Sequence, residues 1–210
     1  MAHRRPWRCY APYVGRSYQY KRSWNHKREY ARGGAESKIS RFWGGDKSVP
    51  LENWEIVLGL KCSRKIQVSS NALEAIRVAI NSALQDRIGK DSFHLRIRPK
   101  PFHKFRENRM LAFAGADRVQ RGMRMSFGRP GGVCARVRAG AIICEVGCDL
   151  KSLDAVRDRL RVASMKVPCK CSVVVTGYKT LDLLKKTGLT LYDASKHREI
   201  PVFDKAFPTA

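Results

Sequence analysis

The sequence predicts an α+β fold, a two-layer sandwich of helices on sheet, carrying a basic and aromatic amino-terminal extension. Three observations predict it. Segments of strict two-residue alternation stand beside segments of helical period; strand and helix follow one another without a regular βαβ repeat; and the first fifty residues show neither period.

The extension over residues 1–50 holds twelve bases and three acids, net +9, and nine of the chain's nineteen aromatic residues. Its aliphatic residues are few, mainly Val14, Ile39 and Val49, so it has little with which to build a core. Bases interleaved with flat rings pair with phosphates and stack on nucleobases or on one another. A solvated tail is the plainer alternative, but such tails are poor in aromatics. An ordered segment docked on RNA is therefore expected here.

Residues 51–178 are expected to form the core and 179–210 a carboxy-terminal extension. The clearest helix opens at Ser69, Ser70 or Asn71, with Glu74 three residues past Asn71 in the manner of a capping box. Leu73, Ile76, Ala79, Ile80, Ala83 and Leu84 make its apolar face, and Gly89 is placed to end it. In the segment 93–98, Phe93, Leu95 and Ile97 alternate with His94, Arg96 and Arg98, which predicts a strand with the basic residues outward. Pro99 and Pro101 end it. Residues 133–138 repeat the pattern, with Val133, Ala135 and Val137 inward and Arg136 and Arg138 outward. Residues 141–146 read as a buried strand. A second helix follows with Ser152 as cap and Leu153, Val156, Leu160 and Ala163 as its buried stripe, and 172–176 is the last strand expected.

Between the two basic strands lies a long internal loop, assigned to 112–132. The nineteen residues 114–132 contain five glycines and four arginines and no sustained period. Loops this long inside a compact domain are functional or mobile. Glycine lets backbone approach a ligand, and arginine grips phosphate bidentately. A mobile, solvated loop stays open as the alternative.

The charge decides the class of partner. The chain has 42 Lys+Arg against 18 Asp+Glu, a net +24. Self-repulsion on that scale destabilises a compact state unless a polyanion offsets it. Nucleic acid is the first candidate. A membrane is not expected as partner, since no run of about 18 apolar residues is present and no basic amphipathic helix stands out. The acid-free start before Glu29 resembles a transit peptide in composition, but Pro6, Pro12 and Gly15 interrupt the helix such peptides need.

No catalytic constellation is expected, nor any cofactor. The seven cysteines are odd in number and do not suggest a disulfide framework. Cys144 and Cys148 are four apart and Cys169 and Cys171 two apart, while Cys9, Cys62 and Cys134 are isolated, so paired zinc knuckles are missing and no metal site is expected. Cys134 and Cys144 fall where a strand buries a small apolar side chain. A Cys–His nucleophile has no local signature, and Asp117 beside Arg118 and Arg121 suits loop geometry better than base catalysis.

Seven short motifs occur in one order: Ser-Ser-x-Ala-Leu-Glu-Ala-x-Arg at 69–77, Gly-Lys-Asp-x-Phe-His at 89–94, Pro-Phe-His at 101–103, Met-Leu-x-x-Ala-Gly-Ala-Asp-Arg at 110–118, Gln-x-Gly-Met-Arg at 120–124, Phe-Gly-x-Pro at 127–130 and Ala-Arg-Val at 135–137. Together they resemble the eukaryotic and archaeal large-subunit ribosomal protein ten (QM type), the family of bacterial large-subunit protein sixteen. The opening Arg4-Arg5-Pro6 and Arg8-Cys9-Tyr10 is similar to that family's start. Ser92 stands where the family has Gly, and Met125-Ser126 where it has small residues.

The resemblance implies a sandwich of hammerhead type bound to large-subunit rRNA, in the vicinity of 5S rRNA and among neighbouring ribosomal proteins. It implies that the internal loop reaches toward the tRNA acceptor end near the peptidyl-transferase centre. It further implies late, cytoplasmic joining of the subunit, coupled to assembly and export factors. On this reading rRNA contacts fall to Arg4, Arg5, Trp7, Arg8, Tyr10, Arg16, Lys21, Arg22, Lys90, His94, Arg96, Arg98, His103, Arg136 and Arg138. The tRNA-facing residues are Ala114, Gly115, Ala116, Asp117, Arg118, Gln120, Arg121, Gly122, Met123, Arg124, Phe127 and Gly128. The alternatives are a free RNA-binding assembly or regulatory factor and, more remotely, a cysteine-dependent RNA-modifying enzyme.

Overall fold

The computed structural model describes residues 6–13, 18–19, 29–31, 33–108, 122–193 and 198–200. In chain order its strands are β1 (Tyr18–Gln19), β2 (Glu29–Tyr30), β3 (Trp43–Gly45), β4 (Ile56–Cys62), β5 (Ile66–Ser69), β6 (Phe93–Ile97), β7 (His103–Glu107), β8 (Arg129–Val137), β9 (Ile142–Cys148), β10 (Cys171–Tyr178), β11 (Leu191–Asp193) and β12 (Arg198–Ile200). The helices are α1 (Ser70–Ile88), α2 (Leu153–Ser164) and α3 (Leu181–Thr187).

Among the described residues the strands form two sheets. Seven are ordered β12-β11-β10-β4-β9-β6-β3 and five β2-β1-β7-β8-β5. The chain passes between the sheets at the short β4–β5 turn. Helices α1 and α2 pack on each other and on the larger sheet, and α1 also touches β5 and β8 of the smaller one. The expected α+β class is found. The helix layer, however, lies against two sheets rather than one.

Local chemistry explains the elements. Ser69 caps α1, its Oγ accepting from the Ala72 N–H at 3.1 Å. Glu74 does not close a capping box; it pairs with Arg77 one turn on at 2.6 Å. Gly89, at φ 89°, ends the helix, a backbone angle that costs a side chain dearly. Leu73, Ile76, Ile80 and Leu84 are fully buried, each stabilising the fold by roughly 1.5–3 kcal/mol through removal from water. The buried stripe of α2 is the expected one, Leu153, Val156, Leu160 and Ala163. Ser152 precedes it, but its Oγ donates to the Asp149 carbonyl instead of capping the helix amides.

Strands β4 and β9 form the centre of the larger sheet, paired Ile56 with Cys148 and Leu58 with Val146. Every residue of β9 is buried, as a central strand covered on both faces requires. Several elements had no counterpart in the sequence reading: β1 to β5 and β7, and the helix α3 with β11 and β12. The segment 172–176 is therefore not the last strand; β11 pairs in parallel with β10, and β12 pairs with β11.

Candidate nucleic-acid interface

The amino-terminal segment 6–13 lies across the outside of the smaller sheet. The Trp7 indole N–H donates to the Gln67 carbonyl at 2.9 Å, and the Gln67 N–H donates to the Ala11 carbonyl at 2.7 Å. Gln67 Nε2 donates to the Tyr10 carbonyl at 3.0 Å. The Trp7, Tyr10 and Phe105 rings meet with centroids 4.9–5.6 Å apart. The two aromatics therefore pack against Phe105, Trp7 edge-on and Tyr10 tilted, and anchor the segment, while Arg8 between them is exposed. Cys134 is buried, as expected of a small strand cysteine, and its Sγ donates to Gln67 Oε1 at 3.4 Å.

His94 requires a correction. The alternation placed it outward, yet it is buried, with Nδ1 2.9 Å from the Val49 carbonyl. The segment 46–54 folds over this face of the sheet: Trp54 sits against Gly147, the β9 residue paired with His94. Its two strand companions behave as expected. Arg96 and Arg98 are exposed at the surface, and Arg98 pairs with Glu145 at 2.9 Å.

Arg98, Arg136 and Arg138 come together. The end of β6 meets the end of β8 across a cleft of about 370 Å³, lined by these three arginines with Pro99, Gly140 and Tyr192 among others. Arg136 lies over the Tyr13 ring at 4.7 Å and its Nε reaches Gln67 Oε1 at 3.3 Å, so its guanidinium is held in place before any ligand arrives. Tyr192 donates its hydroxyl to the Gly140 carbonyl, and Lys61 lies over the Tyr192 ring at 5.0 Å. Three arginines lining one open cleft from two sheets suit a phosphate-rich ligand. Lys90 is exposed in the Lys90–Ser92 turn, and His103 is half-buried beside the Phe102 ring at 4.2 Å; neither lines the cleft.

The far end of β7 holds the base of the long loop. Arg106 donates to the Gly128 carbonyl at 3.0 Å and lies over the Phe127 ring at 4.2 Å. Gly128 is pressed so close to the Glu107–Asn108 backbone that a Cβ would overlap it. Asn108 reaches the Met123 sulfur at 3.8 Å. Met123, Arg124 and Phe127 are all exposed, Phe127 by 73%. Of the other expected loop residues, Ala114, Gly115, Ala116, Asp117, Arg118, Gln120 and Arg121 lie outside the described residues, as do Arg4, Arg5, Arg16, Lys21 and Arg22.

Two residues escaped the sequence reading. Lys104 is 3% exposed and donates to the Ala35 carbonyl at 3.1 Å, tying the arm to β7; burial lowers its pKa. Cys62 lies beside Cys169 and Cys171 although 107 residues separate the first pair, a proximity no local spacing could reveal. Among the described residues no group of His, Cys, Asp or Glu is laid out to hold a metal ion, and no helix is long and apolar enough to cross a membrane.

A basic α+β domain with an arginine at the base of its long loop and an open cleft lined by arginines is an arrangement suited to a polyanionic partner. The model of the ribosomal protein L16p/L10e family matches residues 17–174. The chain belongs to that family and is thereby a ribosomal protein of the large subunit. Its family is one of structural proteins, whose partners are rRNA and other ribosomal proteins.

Proposed function

We propose that the protein acts as a structural constituent of the large subunit that holds rRNA through its arginine faces. The long loop, expected over 112–132 but ending at Arg129 where β8 begins, is directed at the tRNA acceptor end near the peptidyl-transferase centre. The observation that carries the rRNA part is the meeting of Arg98, Arg136 and Arg138 from two sheets at one open cleft. Guanidinium groups grip phosphate with two parallel hydrogen bonds, and Arg136 is already oriented by Tyr13 and Gln67. The loop part rests on the family membership, on the loop's composition and on its rigid base at Arg106. A loop anchored at its root delivers its tip to a defined place while remaining adaptable. The protein's part at the tRNA end is then positional and electrostatic, and the RNA performs the chemistry. Late joining of the subunit in the cytoplasm, with release of assembly factors, belongs to the same proposal.

The cleft is tested by measuring binding of a large-subunit rRNA fragment to the wild type and to R98A/R136A/R138A. Loss of up to three phosphate contacts predicts a log–log salt slope shallower by roughly 2–3. An unchanged slope would remove the cleft from the interface. The loop is tested by R118A/R121A/R124A in cells, where subunits should mature slowly and tRNA accommodation should fall while the variant still folds. Sedimentation distinguishes the free-factor alternative: a protein that washes off large subunits at moderate salt is not a constituent.

A further inference from the structure

The three sulfurs of Cys62, Cys169 and Cys171 form a compact group that the rRNA reading does not use. Cys62 Sγ lies 3.2 Å from Cys169 Sγ, and Cys169 Sγ lies 3.7 Å from Cys171 Sγ. Cys62 and Cys171 are Cα partners on the antiparallel pair β4–β10. Paired Cα atoms of this kind stand about 4.5–5.5 Å apart, inside the range of roughly 4.4–6.8 Å that a disulfide spans. All three thiols are free; Cys62 is buried, whereas Cys169 and Cys171 are partly exposed at the start of β10.

A tetrahedral zinc site would hold its sulfurs about 3.8 Å apart, given Zn–S bonds of about 2.3 Å. The Cys62–Cys169 contact is shorter than that, and the group is not arranged as a metal site. Contact at this distance suits bond formation between sulfurs. Hydrogen bonds from Cys171 and then Cys169 pull the Cys62 thiol down to about 6 against the effect of burial. The same group thus holds a thiolate near neutral pH, the form that reacts with oxidants. Cys134, Cys144 and Cys148 are the contrast: burial pushes each up to about 12.

We propose that Cys62, Cys169 and Cys171 form a reversible dithiol–disulfide site, oxidised by hydroperoxides and reduced by low-molecular-weight thiols. A small peroxide enters at the partly exposed side. The Cys62 thiolate takes one oxygen, becoming a sulfenic acid as the O–O bond breaks and hydroxide leaves. The sulfur of Cys169 or Cys171 then displaces that oxygen, forming the S–S bond. In sum two thiols and hydrogen peroxide give one disulfide and two waters, the sulfurs losing two electrons. Two molecules of a small thiol reverse it by exchange, themselves becoming a disulfide. The third cysteine stays reduced and stands ready as an internal exchange partner.

The site is tied to the cationic cleft through the backbone. The Cys62 N–H donates to the Ala141 carbonyl at 3.0 Å and the Gly140 N–H donates to the Cys62 carbonyl at 2.8 Å. Gly140 and Ala141 line the cleft. A covalent bridge at Cys62 would therefore stiffen one wall of that cleft.

The test treats the purified full-length chain with hydrogen peroxide, blocks remaining thiols by alkylation, and maps peptides without reduction. One cross-link joining the Cys62 peptide to the Cys169–Cys171 peptide is expected, two hydrogens lighter than the sum. Dithiothreitol should reverse it, while Cys134, Cys144 and Cys148 stay unmodified until denaturation. C62A should abolish the cross-link and C134A should not. If C62A fails to fold, C169A/C171A, altered at partly exposed positions, gives the same reading. Independent conversion of the three sulfurs to sulfonic acids would overturn the proposal, as would Cys62 remaining alkylatable after oxidation. Stoichiometric Zn²⁺ protection of all three thiols against peroxide would overturn it too.

Discussion

Gly45 shows how tightly single positions are constrained. It sits on β3 at φ 72°, and a Cβ there would collide with the Phe93 carbonyl across the strand pair. Gly45→Ala therefore combines left-handed strain with a backbone clash, and a loss of about 2–4 kcal/mol is expected, read as a lower urea midpoint. Buried thiols impose a pH limit of another kind. Burial raises Cys134, Cys144 and Cys148 to about 12, above the value near 8.5 of an unfolded thiol. Folding keeps these groups protonated, so their contribution is complete below the unfolded value. It is lost as pH rises from about 9 toward 12. The urea midpoint should fall between pH 7 and about pH 10, and less steeply in C144A than in the wild type. Equal slopes would show that Cys144 does not titrate with unfolding. His94 marks the limit of reading faces from alternation: its period is that of an outward residue, and only the covering segment 46–54, invisible to local pattern, turns it inward.

Elements were legible where their period was strong. Helix α1 and its end at Gly89 follow from sequence because its apolar stripe and helix-ending glycine are local features. Leu73→Ala, deep in that stripe, should cost about 3 kcal/mol by transfer and cavity terms. Ser69→Ala should cost only about 1 kcal/mol, the worth of one cap; chemical denaturation of both variants orders them. Strand β4 escaped notice because Ile56–Leu60 are all buried and so do not alternate. Strand β7 was hidden behind Pro99 and Pro101, which end β6 without preventing a new strand two residues later. Helix α3 is 7 residues long, too short for its period to stand out. The candidate site was legible in part: Arg98, Arg136 and Arg138 were each chosen from strand pattern. Their meeting at one cleft depends on how two sheets close on each other, and the Cys62–Cys169–Cys171 group depends on the β4–β10 register. Both are tertiary facts.

For the whole molecule the governing quantity is a net charge of +24 on 210 residues. If six to ten phosphates are engaged, affinity for rRNA should drop about 10³–10⁵-fold between roughly 50 and 200 mM salt. A filter-binding titration checks this, and a weak dependence would mean that cation–phosphate contacts are not what holds the complex. Charge also fixes the balance of the isolated protein, since the same cations that attract RNA repel one another when it is absent.

The passage of the chain from one sheet to the other at the β4–β5 turn carries a mechanical corollary. Arg98 belongs to one slab and Arg136 and Arg138 to the other, so a strand of nucleic acid lying between them behaves as mortar across a joint. Filling the joint at one hundred times its dissociation constant should add about 2.7 kcal/mol to the folded state, seen as a higher melting temperature. The gain should shrink in the triple arginine variant, because the bricks would then stand without their cement.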